Sequence, residues 1–171
     1  MPSASSVRPD FHLRPATRAD VPIILQCIQG LAEYERLESE CLATEALLTE
    51  TLFGAEPAAE VTLAFAGDSP AGFALWFRSY STFLARPGIY LEDLFVFPAY
   101  RGHGLGRRLL SSLARTAVER GYGRVEWAVL DWNSDAIRLY ESLGARQMSE
   151  WTVYRVAGEV LRGLADDGTV G

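Results

Sequence analysis

The chain has 171 residues, 49% of them hydrophobic and 11% aromatic, enough for one well-formed core and little more. Its formal net charge of −6 argues against a nucleic-acid binder, whose affinity comes from a basic surface, and suits a small cationic substrate better. Cys27 and Cys41 cannot make a disulfide framework, and the chain shows neither a signal-peptide pattern nor an apolar run long enough to span a bilayer, so a reduced, cytoplasmic setting is expected, with no membrane partner.

Residues 1–10 and 166–171 are small and polar and read as a disordered tail and a frayed end around a single domain over 11–165. Phe11-His12-Leu13-Arg14 reads as a short strand. Thr17-Arg18-Ala19-Asp20 then has the spacing of a capping box before a helix with Val21, Ile24, Ile28 and Leu31 on one face, running to about residue 38. A second helix starts after Thr44 and stops near Gly54. Residues 61–66 and 72–77 are strand-like, and Gly67-Asp68-Ser69-Pro70 between them signals a hairpin, hence antiparallel pairing.

Residues 88–97 form the fourth expected strand, followed by a helix over 104–120 with Leu105, Leu109, Leu113 and Ala117 four apart; Gly121-Tyr122-Gly123 ends it. Residues 125–130 are a fifth strand, and the helical crossover predicts that it runs parallel to the fourth. A helix over 134–143, closed by Gly144, precedes strands near 146–150 and 152–156. This order predicts an α/β (α+β) fold: a mixed, twisted central sheet of about six to seven strands with helices on both faces.

Three constellations carry chemistry. Arg101-Gly102-His103-Gly104-Leu105-Gly106-Arg107-Arg108 joins a strand to a helix start, where glycines let backbone approach a ligand and unpaired N–H groups favour an anion. It is spelled neither as a Walker A loop nor as a dinucleotide fingerprint, and a pyrophosphate fits it. Glu92 and Asp93 precede it inside an apolar run. Side chains alternate along a regular strand, so the two acids are expected on opposite faces unless a bulge intervenes; function is favoured for Glu92, while Asp93 is read equally as structural or functional. After the fifth strand, Asn133 sits as a helix N-cap with Tyr140 two turns on; periodicity alone places Tyr140 in a core. His12 and His103 lie far apart with no cysteine cluster near them, so no protein-held metal is expected.

Taken together, these residues resemble the GCN5-related N-acetyltransferase superfamily, whose motif (Q/R)-x-x-G-x-(G/A) is matched by Arg101 to Gly106, with Asn133 and Tyr140 recurring after the fifth strand. More narrowly, Arg14-Pro15-Ala16-Thr17, Tyr34-Glu35, Tyr90-Leu91-Glu92-Asp93 and Trp132-Asn133 look like the spermidine/spermine (diamine/thialysine) N-acetyltransferase branch. The resemblance implies acetyl-CoA as donor, a small cationic amine as acceptor and a homodimer. It implies that backbone at Leu94, Phe95 and Val96 meets the pantetheine arm and acetyl carbonyl, that Arg101, Gly102, His103, Gly104, Leu105, Gly106 and Arg107 hold the pyrophosphate, and that Asn133, Ala136 and Tyr140 line the thioester end. Tyr34, Glu35, Glu92 and Asp93 match positions that meet the amine. The loop over 80–87, together with Glu126 and Trp127, departs from the vertebrate polyamine enzymes, so the acceptor's identity stays open.

On this reading Glu92 is the expected base and Tyr140 the expected acid towards the departing thiolate. Two other readings stand beside it: a non-catalytic acetyl-CoA-binding or sensor module, and a peptide or protein N-acetyltransferase.

Overall fold

The computed structural model describes residues 9–167, which fall into two compact stretches meeting after Leu130. The first stretch opens with β1 (Phe11–Pro15) and a 3₁₀ turn over Arg18–Asp20 that runs directly into α1 (Val21–Glu35). The capping box expected at Thr17 and Asp20 is present in full. Asp20 accepts hydrogen bonds from the Thr17 N–H at 2.7 Å and hydroxyl at 2.8 Å, and the Arg14 guanidinium grips it with two more at 2.7 and 2.8 Å. That clamp holds the Asp20 carboxyl well below the usual carboxylate range, chiefly through Arg14.

Helix α1 ends three residues earlier than expected, because Arg36 turns into the left-handed region at φ 60° and Leu37 N–H closes back on the Ala32 carbonyl at 2.8 Å. No Gly or Asn marks that stop. Helix α2 (Glu45–Phe53) follows as expected, capped by the Thr44 hydroxyl, which accepts from Leu47 N–H.

The sheet contains five strands among the described residues, in the order β1-β2-β3-β4-β5, with β2 (Glu60–Ala66), β3 (Ser69–Ser81), β4 (Arg86–Val96) and β5 (Val125–Trp127). Every neighbouring pair is antiparallel except β4 and β5, whose parallel pairing follows from the crossover through α3 (Leu105–Glu119). The mixed sheet agrees with the sequence; the count of six to seven strands does not.

The fifth strand stops at Trp127 rather than residue 130, because its partner β4 bulges immediately beyond Leu91 and turns the ladder away. Helices cover both faces. Val61, Leu63, Phe65, Phe73 and Phe95 join Ile24, Cys27, Leu48 and Leu52 in one core, which places α1 and α2 on one side. Leu105, Leu109, Leu113 and Ala117 are buried along α3, and Arg120 at its end lies over the Trp76 ring, which places α3 on the other.

The second stretch holds α4 (Ser134–Ser142) and α5 (Gly158–Asp167). Residues 146–150 and 152–156, read as strands, are irregular and pair with no strand among the described residues. Alternating side chains provide a strand with a face, but only a neighbouring ladder makes it a strand. Helix α5 has no counterpart in the sequence reading. Asp166 and Asp167, expected to fray, end it, and the rest of both expected tails lies outside the described residues.

Candidate active site

The bulge in β4 is where the site begins. Leu75 stands opposite Asp93 and Trp76 opposite Leu91, so Glu92 is the extra residue. Phe73 and Leu75 face α1, and their partners Phe95 and Asp93 share that side, whereas Trp76 and Leu91 face α3. Alternation from Leu91 turns Glu92 towards α1 as well. The two acids therefore lie on one face, and the expectation of opposite faces is corrected by the bulge.

Glu35, near the end of α1, joins them. Asp93 is half-buried and its carboxyl is pushed up to about 6, first by burial and then by the charges of Glu92 and Glu35. Burial also raises Glu35, while Glu92 is exposed at the lip. A carboxylate poised near neutral pH beside two others is an arrangement for drawing in a cation and taking its proton.

Close packing holds α1 against β4 here. Gly30 lets the helix approach the Phe95 ring, which a Cβ would meet at 2.7 Å, and Gly72 lets β3 approach β4, where a Cβ would stand 2.4 Å from the Phe95 carbonyl oxygen. The Phe95 side chain is thus core.

The far half of β4 forms an open edge, since β5 pairs only with Ile89, Tyr90 and Leu91. Phe97 N–H bonds across to Ala71 on the β3 side, so alternation directs the Phe95 amide to β3 and the amides of Leu94 and Val96 to the open edge. Of Leu94 and Phe95, both expected to meet an acetyl carbonyl, Leu94 has the donor that faces outward.

Arg101 closes this edge at its end. Its Nε donates to the Val96 carbonyl at 2.9 Å and its guanidinium lies over the rings of Tyr34, at 4.8 Å, and Phe95, at 5.6 Å. Tyr34 is thereby tied to the glycine loop.

The loop itself suits a diphosphate. Gly102 and Gly104 take φ of 78° and 80°, which glycine adopts without strain, and a Cβ at either position would meet nothing within 4 Å, so the space above the backbone is open. Gly104 caps α3 without a side-chain acceptor, which points the first-turn N–H groups of Leu105 and Gly106 at a ligand. His103 is exposed beside them, and Arg107 and Arg108 project from the same end of α3 into a groove towards β1.

In the second stretch Asn133 caps α4, its side-chain oxygen accepting from Ala136 N–H at 3.3 Å. Asn133, Ala136 and Tyr140 lie three and four residues apart, on one stripe of that helix, each half-buried. Gly144, at φ 82°, closes the helix as expected.

Residues 28–145 match the acetyltransferase (GNAT) family, and the chain belongs to it. It is an acyl-CoA-dependent N-acetyltransferase using acetyl-CoA. It is 38% identical over 164 residues to a thialysine N-epsilon-acetyltransferase of Bos taurus, covering 90% of this chain and 96% of that protein. An L-ornithine N5-acetyltransferase of Arabidopsis thaliana is 34% identical over 198 residues, covering 90% of this chain and 87% of that one. Among solved structures, an integron cassette protein from the mobile metagenome of V. cholerae superposes with a TM-score of 0.77 at 25% identity, covering 91% of this chain and 97% of its own.

Proposed function

We propose that the protein acetylates the primary amine of a small cationic acceptor, of the polyamine or basic amino acid kind, by direct attack. The carrying observation is the bulge that gathers Glu92 and Asp93 on the face shared with Glu35, beside the open edge of β4. The relatives named for thialysine and L-ornithine acetylation support it.

A primary amine with a solution pKa of about 10.4 is almost wholly protonated at neutral pH, a deficit of about 4–5 kcal/mol before it can attack. The Glu92–Asp93 pair removes that proton: Glu92 attracts the ammonium at the lip, and one of the two carboxylates accepts its proton. Bound acetyl-CoA supplies the acetyl group as a thioester. Gly102 to Arg107 would hold its diphosphate and the Leu94 and Val96 peptide groups would align its arm, with Asn133 and Ala136 the residues expected at its thioester end. Tyr140, on the same stripe of α4, would donate its hydroxyl proton to the leaving sulfur. No acyl-cysteine is needed, and burial pushes the Cys27 thiol up to about 12, which removes it as a nucleophile.

No helix among the described residues is long and apolar enough to cross a membrane. In this reading residues 11–165 act as one catalytic domain, supported by the unbroken family match over 28–145, and the enzyme works as a homodimer in the cytoplasm.

Release of free thiol from acetyl-CoA across spermidine, putrescine, thialysine, lysine and a lysine-containing peptide tests the function. Turnover is expected with the small amines and not with the peptide. Acetyl-CoA binding without turnover on any of them would instead identify a sensor module. Replacing Tyr140 with Phe is expected to lower kcat by roughly tenfold to a thousandfold with little change in acetyl-CoA affinity. An unchanged kcat when chemistry is rate-limiting removes Tyr140 from the acid role.

A further inference from the structure

The face that carries the acids continues along β4 onto β5. Tyr90 stands opposite Glu126 and opposite Phe77, on whose ring it stacks with centroids 5.2 Å apart. Glu126 therefore shares the side of Glu92 and Asp93, and the phenol of Tyr90 is raised by burial and by the charges of Glu92 and Glu126. Two residues back, just ahead of β5, Arg124 pairs with Glu126 through Nε at 2.7 Å.

Arg124 is firmly seated. Its carbonyl accepts from Ile89 N–H at 3.0 Å, and its stem lies across Gly88, where a Cβ would meet the Arg124 Cγ at 3.2 Å. The two charged side chains nevertheless keep 41% and 38% of their surface exposed, so the pair can exchange partners with a ligand.

The charges along this face are thus ordered: Glu35, Asp93 and Glu92 at one end, Glu126 next, and the Arg124 cation beyond it. The partners of Tyr90 and Asp93 on β3, Phe77 and Leu75, stand two residues apart, on the order of 7 Å at about 3.3 Å per residue, a span that a short methylene chain bridges together with the side chains meeting its ends.

We infer that Arg124 and Glu126 form a head-group subsite that selects a basic α-amino acid over the diamine of the same chain length. The side-chain amine reaches the Glu92–Asp93 pair, the α-ammonium replaces Arg124 at Glu126, and the α-carboxylate takes the Arg124 guanidinium in a charge-assisted contact. A diamine carries a second cation to the same place and meets Arg124 with like charge. The inference rests on this face being the acceptor side, as proposed above.

The test compares kcat/KM for L-ornithine and L-lysine with that for putrescine and cadaverine, their decarboxylated counterparts, in the full chain. The wild type is expected to favour each amino acid by about tenfold or more, with acetylation at the side-chain amine. Arg124→Gln is expected to erase that preference by raising KM for the amino acids about tenfold with kcat changed little, and to lower KM for the diamines, which no longer meet a like charge. Arg124→Lys should keep part of it, and L-lysine amide should lose in the wild type what L-lysine loses in Arg124→Gln. Preference for the diamine, acetylation of the α-amine, or a ratio untouched by Arg124→Gln and by amidation each overturns the subsite. Turnover with unaltered selectivity sinks the subsite alone, whereas acetyl-CoA binding with no turnover on any amine sinks the proposed function with it.

Discussion

Asp93→Asn is expected to make the protein more stable while removing most of its activity. The carboxyl sits at about 6 against an ordinary value of 3.8, because burial and the charges of Glu92 and Glu35 disfavour its anion. A group raised in the folded state contributes stability that is present below its unfolded value and lost as pH rises through the folded one. The fold therefore loses stability between about pH 4 and pH 6 as Asp93 ionises, on the order of 2–3 kcal/mol for a shift of this size at 1.36 kcal/mol per unit.

Asparagine cannot ionise, so the variant should gain about 2 kcal/mol at pH 7, or roughly 4–8 °C in Tm for a chain of this length, and almost nothing at pH 4. Its kcat/KM should fall by about 10²–10⁴ if the proton passes to this carboxylate. Glu92→Gln supplies the contrast: removing the neighbouring charge lowers the Asp93 pKa, so the acid limb of the pH profile should move to lower pH and not vanish. A stability gain in Asp93→Asn that is the same at pH 4 and pH 7, or an acid limb that persists unmoved in both variants, would contradict this account.

Period-2 alternation made Glu92 and Asp93 look like residues of opposite faces, and one extra residue in the pairing of β4 with β3 reversed that. A bulge belongs to the pair of strands, so no reading of residues 88–97 alone reveals it, although two adjacent acids in an apolar run are the sign that something must accommodate them. The same bulge shortened β5, whose apolar residues 128–130 read as strand until the ladder they needed turned away. Local signals fared better: Thr17 with Asp20, the Gly67-Asp68 turn, Gly104 before α3 and Asn133 with Gly144 around α4 are each decided within a few residues. Residues 146–156 failed for a related reason, since they find no strand to pair with among the described residues. Arg124 carried no signal at all, because its part depends on Gly88 across the sheet.

Asp20→Asn is the counterpart at the opposite end of α1. Asp20 is 6% exposed and accepts from both Arg14 nitrogens and from the Thr17 N–H and hydroxyl, so an amide in its place can satisfy only part of that set and turns a donor towards a guanidinium. Breaking a buried pair costs about 3–5 kcal/mol, but the Arg14 side chain is 40% exposed and can return to water, which brings the expected loss to about 2–3 kcal/mol.

The sign with pH is the reverse of Asp93. The Asp20 pKa is depressed, so its contribution is present above the unfolded value of about 3.9 and lost as pH falls towards the folded one. Wild-type stability set by these two groups should then peak near pH 4, between the ionisation of Asp93 above and the protonation of Asp20 below. Denaturant unfolding from pH 3 to pH 8 checks both arms: Asp20→Asn should flatten the acid arm and leave the decline from pH 4 to pH 6 intact, while Asp93→Asn should do the opposite. Because Tyr34 and Glu35 ride on the last turn of α1, loss of its first anchor should also raise KM for the acceptor more than for acetyl-CoA; equal effects on both would mean that the clamp serves the fold alone.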